Sequence, residues 1–374
     1  MTDPSQDEFQ ESDPWQRAAL LLAGTDLGFE DVAKNCGLDP NSFAHGFQTR
    51  FLLNPDAYRH LGNARRFRIH LPEWLPLTHL KRYWGRDPSS LSEKVDEHKF
   101  SWCTVTPVGP IRIDATFEGE ISWSTTSSTG QSRPEPELRD ESLGPLVHQM
   151  LMRSLGLHLD PRPFEQRSFQ LGHESLIHEH IGQTLPQTGS VFDGALWVVA
   201  GQQVSLAAAF SIRRRLTEAL GRPIDGMICS PAPVDVAASD PETLHGCGLT
   251  RRKAEYLHGI ALMAQETTSP FLPHAPVEPS LEHWRRLSLE DSEKLLMDIR
   301  GYGAWSTGYM LMRALGFADA VPLGDVALQK ALQLYFGLEK RPDRQETEKL
   351  MEPFRPYRSL ATFHFWSWVA ARKK

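Results

Sequence analysis

The run Asp298-Ile299-Arg300-Gly301-Tyr302-Gly303-Ala304-Trp305-Ser306-Thr307 breaks a helical pattern at two glycines and restarts it at once. Upstream, Ser288 opens an apolar periodic segment that lasts through Asp298, with Asp291 three residues on as a weak capping box. Downstream, Ala304 to Leu315 has the spacing of a second helix. A turn this tight between two helices needs residues without a side chain, because glycine permits backbone angles and close approaches that a Cβ blocks. The amides of such a turn lie at a helix N-terminus, where they can hold an anion such as a phosphate oxygen. Gly324-Asp325 follows a short distance on, a lone carboxylate opening a third helix that runs to Phe336. By itself Asp325 reads as a helix cap, and a bare Gly-x-Gly is weak evidence of anything. Together, at this spacing, they constrain the chain more than any other feature.

At 374 residues the chain is long enough for two or three domains with ample core. It is 40% hydrophobic and 23% charged, values that fit a folded globular chain rather than a disordered one. Residues Met1 to Asp13 are acidic and polar and no apolar run reaches the length of a membrane span, which predicts a cytoplasmic chain with no membrane association. The cysteines Cys36, Cys103, Cys229 and Cys247 are scattered, with no Cys-x-x-Cys pair. That predicts neither a disulfide framework nor a metal site built from side chains. The formal net charge of −7 argues against a generally basic nucleic-acid binder. Its distribution weakens that argument, since the acidic stretch Asp3 to Asp13 carries much of the excess. Basic clusters stand at Arg213-Arg214-Arg215, Arg251-Arg252-Lys253, Arg285-Arg286 and Arg372-Lys373-Lys374. A protein that grips a few phosphates needs only a local basic face.

Three segments follow a tail predicted to be disordered over 1–14. Residues 15–64 read as a small helical unit, with a short helix ending at Gly37 and a second one capped by Asp39 or Asn41. Phe43, Phe47 and Phe51 fall on one face of that second helix, and Asn54-Pro55-Asp56-Ala57-Tyr58-Arg59 closes the unit. About 45 residues here resemble the second helix-turn-helix of AraC-type regulators. Its recognition helix would offer His45, Gln48 and Arg50 as reading groups, so the alternative is a helical cap with no reading role. Residues 65–163 alternate with the period of strands at Phe67 to Leu71, Ile111 to Phe117 and Ile121 to Ser124. A Ser/Thr/Gly/Pro loop (Thr125 to Pro136) and an amphipathic helix, Leu143 to Leu155, complete a small α+β domain. From about Arg162 onward, covering 164–374, only helices are expected, among them Ala195 to Ala200, one starting near Thr250, and Leu360 to Ala371.

Gly-Tyr-Gly-Ala-Trp-Ser-Thr between helices, then Pro322-Leu323-Gly324-Asp325, resembles the helix-hairpin-helix DNA glycosylase superfamily. These enzymes cut the bond between a damaged base and its sugar. The resemblance is densest from Gly194 to Trp366, and the α+β segment loosely resembles the N-terminal domain of the 3-methyladenine glycosylase II family. The implied fold class is mainly α: a helix-hairpin-helix core preceded by a small TBP-like α+β domain and the helix-turn-helix unit. The resemblance makes Asp325 the catalytic residue, stabilising positive charge on the sugar and orienting or deprotonating a water. It lines the base pocket with Trp305, Tyr309 and Trp366, and places Leu80 and Val326 where family members have aromatic side chains. Lyase members carry a lysine where this chain has Trp305, so no Schiff base is expected. DNA would be held by Gly301 and Gly303 of the hairpin, by Arg300 and by Ser306. Gln203, after the Gly201-Gln202 helix break, takes the position of the wedge that replaces the extruded base.

The expected activity is a monofunctional glycosylase acting on alkylated purines in double-stranded damaged DNA. A bacterial, nucleoid-associated monomer is expected. No cofactor is implied beyond a monovalent cation on hairpin carbonyls. Two alternatives stay open. One is a glycosylase for oxidised or deaminated bases, for which Val326 and Leu80 leave room. The other is a non-catalytic DNA-binding regulator of the alkylation response.

Overall fold

The computed structural model describes residues 13–106, 109–125, 143–265 and 280–372. The acidic tail before Asp13, the loop beyond Thr125 and the terminal Lys373-Lys374 lie outside the described residues. The chain divides into two compact units. One comprises Met1–Glu73, Lys81–Met152 and Leu216–Pro231, the other Trp74–Leu80, Arg153–Arg215 and Ala232–Lys374. No helix among the described residues is long and apolar enough to cross a membrane.

The first unit opens with the helices Pro14–Gly24, Phe29–Asn35, Pro40–Phe51 and Pro55–Arg59. Asp13, Asp39 and Asn54 cap three of them through their side chains, each just before a proline in the first turn. Phe43, Phe47 and Phe51 are buried on one face, and the Phe47 and Phe51 rings stack at 4.3 Å. Tyr58 meets Phe47 edge-on at 5.2 Å. On the opposite face His45, Gln48 and Arg50 are exposed, but the Arg50 guanidinium lies 4.6 Å over the Trp15 ring.

A five-stranded antiparallel sheet follows, in the order β1-β5-β4-β3-β2. Its strands are β1 (Arg66–Arg68), β2 (Glu93–Val95), β3 (Lys99–Thr106), β4 (Gly109–Thr116) and β5 (Glu120–Thr125). β1, β4 and β5 are the strands that alternation predicts; β3 goes unpredicted because it does not alternate. Phe100 and Trp102 stack on one face, against Trp84, while Cys103 joins Ile224, Met227 and Cys229 on the other. A strand buried on both faces loses its period of two.

Ile224 and Met227 belong to a hairpin, β6 (Pro223–Ile224) and β7 (Met227–Ile228), which corrects the all-helical expectation beyond Arg162. Its turn, Asp225-Gly226, has φ of 43° and 73°, the left-handed pair that an Asp-Gly hairpin requires. Arg112 Nη1 donates to the Asp225 carbonyl at 2.7 Å and Lys94 Nζ to the Gly226 carbonyl at 2.9 Å, so this hairpin belongs with the sheet.

The second unit is helical. Val191–Gly201 is buried on nearly every side and forms its axis. Around it stand Arg251–Met263, capped by Thr250, Leu289–Asp298, capped by Ser288, and Ala304–Met310, which runs on as a π-helical turn, Leu311–Leu315. Val326–Phe336, Arg358–Ala371 and several shorter helices, among them Arg162–Gln170 and Arg344–Met351, also belong to it.

Buried histidines make the whole chain acid-sensitive. Burial pushes His148 down to about 4, and both His158 and His364 to about 3. Arg153 and Arg285 add to the effect at His158, and His180 and His79 at His364. Depressed in the fold, these groups contribute stability that is present above the unfolded value of 6.5 and is lost as pH falls toward the folded values. Each proton taken up by the unfolded chain alone costs about 1.4 kcal/mol per pH unit in this window. Urea midpoints should therefore drop steeply between pH 6 and pH 4.5, and His364→Leu should shallow that slope. A flat profile across this window contradicts the assignment.

Candidate active site

The hairpin is built by the backbone. Leu289–Asp298 stops at Ile299, and the chain turns through Gly301 at φ 93°. A Cβ on Gly301 would lie 2.2 Å from the Tyr256 ring, so both the angle and the contact require glycine. Gly303 is extended at φ −144°, and a Cβ there would meet nothing within 4 Å. The turn is exposed at both glycines. Arg300 Nη2 is 3.5 Å from Glu255 Oε2, and its guanidinium sits 5.6 Å from the Tyr256 ring centre.

Ala304–Met310 carries the side chains inward. Trp305 and Tyr309, one turn apart, have ring centres 5.7 Å from each other, and Tyr309 lies 6.2 Å from Trp366 of the last helix. Gly308 lets this helix press against the segment that delivers Asp325. A Cβ on it would be 2.1 Å from the Val321 carbonyl oxygen and 2.7 Å from Pro322 Cα.

Asp325 does cap the helix that follows, Oδ1 accepting from Leu328 N at 2.7 Å. It also accepts from two indoles: Trp366 Nε1 donates to Oδ1 and Trp305 Nε1 to Oδ2, each at 2.9 Å. The half-buried carboxylate is thus fixed by donors from three helices. A carboxylate oxygen has two lone-pair directions. Both are taken on Oδ1, whereas Oδ2 keeps one free of these three bonds.

The other sequence-derived candidates are placed less uniformly. Val326, next to Asp325, is 61% exposed, and Leu80 is buried in the helix Leu77–Trp84. Ser306 is buried too, and its Oγ accepts from Gln202 Nε2 at 3.2 Å, which makes it a support beneath the turn. Gln203 is exposed, with φ of 55°.

Several contributors escaped the sequence. Gln202 Nε2 also donates to the Gly301 carbonyl at 2.9 Å. Lys253, Tyr256 and Arg313 support the site, the last with its guanidinium 6.0 Å from Tyr309 and 5.4 Å from Phe363. Lys253 stood out only as part of a basic cluster, and nothing in the local pattern gives any of them this role, because each acts through a residue tens of positions away or through its own helix face.

The site is thus a glycine hairpin between helices, followed by a capped aspartate among indole rings. Residues 196–356 match the HhH-GPD superfamily of base excision DNA repair proteins. It is 32% identical over 180 residues to a DNA-3-methyladenine glycosylase of Bacillus subtilis (strain 168), a stretch covering 47% of this chain and 56% of that one. It is 28% identical over 188 residues to DNA-3-methyladenine glycosylase 2 of Escherichia coli (strain K12), covering 50% and 60% respectively. The chain therefore spans little more than half the length of these relatives. A solved 3-methyladenine DNA-glycosylase from Archaeoglobus fulgidus shares the fold at a TM-score of 0.65 and 19% identity, over 80% of this chain and 97% of that one.

Proposed function

We propose that this chain is a monofunctional DNA glycosylase that removes alkylated purines from duplex DNA. The observation that carries this is the Asp325 carboxylate, fixed by Trp305, Trp366 and Leu328 beside the Tyr309 ring. The hairpin amides of Gly301 and Gly303, with Arg300, grip the phosphates of one strand. The damaged nucleotide leaves the stack, and Gln203 fills the gap. Electron-rich rings attract a methylated purine that bears positive charge.

As the glycosidic bond breaks, positive charge grows on the sugar. Asp325 Oδ2, with its spare lone-pair direction, stabilises that charge and orients the water that attacks C1′. The leaving base takes the bonding electron pair, which neutralises its own charge. Trp305 offers no amine, so water is the nucleophile and the product is an intact abasic strand. Hairpin carbonyls would hold a monovalent cation; that of Gly301 keeps a lone-pair direction beside the Gln202 amide. When bound, it would supply positive charge next to the gripped strand.

The proposal extends to a monomer working on nucleoid DNA in a bacterial cytoplasm, with the helical unit over residues 15–64 as an AraC-like helix-turn-helix. Incubation with methylated duplex DNA tests the activity. Free methylpurines are expected in solution, with strand breaks only after alkali. Release confined to oxidised or deaminated bases, or nicking without alkali, overturns it.

A further inference from the structure

We infer that Lys253 is a positioning residue which, through Gln202, holds the wedge backbone in its inserting shape and couples it to the hairpin. This rests on the activity proposed above. The helix Val191–Gly201 ends with carbonyls that lack partners inside the helix. The left-handed residue just past its end is Gln203, not glycine, and an L side chain takes such an angle only at a cost. The surroundings must hold it there. Lys253 Nζ donates to the Ala200 carbonyl at 3.2 Å and to the Gln202 carbonyl at 2.6 Å. The Gln202 side chain runs the other way, to the Gly301 carbonyl and Ser306 Oγ. Ser205 Oγ then accepts from Ala208 N at 3.3 Å, which starts the next helix, Leu206–Leu220.

Gln203 is thus fixed from behind and left exposed in front. Val204 and Leu206 beside it are 40% and 61% exposed, an apolar flank suited to prying a base step apart. Lys253 lies in the first turn of Arg251–Met263, and Tyr256, one turn on, is the ring that Gly301 abuts. One helix therefore supports both the loop that would enter the duplex and the turn that would grip it. Burial lowers the Lys253 pKa from the ordinary lysine value.

A plain structural cap and a wedge support differ in what they do to different substrates. The test compares single-turnover release of one methylpurine from two duplexes. In one the lesion is paired; in the other it is an unpaired bulge, where no partner has to be displaced. Lys253→Met should slow release from the paired duplex about 100-fold, the scale of a misplaced positioning group, and spare the bulge. Lys253→Arg, which can still donate to both carbonyls, should recover most of the loss. Gln202→Ala should show the same paired-only defect with the fold intact. Equal slowing on both duplexes, or none on the paired one, overturns the inference. Wild-type protein that releases no methylpurine from either duplex would instead sink the proposed activity.

Discussion

Asp325→Asn should lower methylpurine release by about 1,000-fold or more, while binding to duplexes that carry the lesion or an abasic site persists. The geometry says why so small a change is so damaging. Oδ1 already receives Leu328 N and Trp366 Nε1, so an asparagine keeps its oxygen there. Its NH2 then replaces Oδ2, the only carboxylate oxygen with a lone-pair direction left for the sugar or the water. Charge and acceptor vanish from the reacting side together. The amide also points a donor at the Trp305 indole N–H, leaving an unpaired polar contact that costs about 1–3 kcal/mol. Because asparagine caps helices as well as aspartate does, the fold should survive. Single-turnover release and gel-shift binding on one preparation check both halves. Wild-type release rates in this variant would remove Asp325 from the chemistry.

Gly308→Val should be the most destabilising single change near the site, costing at least about 3 kcal/mol. The atoms that a new Cβ would strike belong to the Val321 and Pro322 backbone and cannot swing aside as a side chain can. Any fraction that folds must push the Pro322-to-Asp325 segment away from the hairpin helix, and release should fall with it. Urea unfolding and base release measure the two effects separately. A variant as stable and as active as the parent would show that this close approach is not needed.

Much of this was legible along the chain. The hairpin helices, the cap at Ser288, the helix start near Thr250 and the Gly-Asp step are local features, written in the spacing of a few residues. The Phe43, Phe47 and Phe51 face was legible for the same reason. The indoles were legible as residue types, yet their bonds to Asp325 join positions 20 and 41 residues away, and no local pattern encodes a donor's direction. Ser306 shows the reverse failure: a small polar residue in a hairpin looks available, but tertiary contacts bury it. β3 was missed because burial on both faces erased its alternation. The β6–β7 turn carried a readable Asp-Gly signal, lost within an otherwise helical stretch.

The origin of the three donors has a consequence for the cell. Residues 305, 328 and 366 come from separate stretches, so no short fragment holds the reacting acid in place. During synthesis the carboxylate lacks its third donor until residue 366 has left the ribosome and its helix has docked. Docking of the helix Arg358–Ala371 thus brings the last of the three donors, and a copy interrupted before it holds the acid with two.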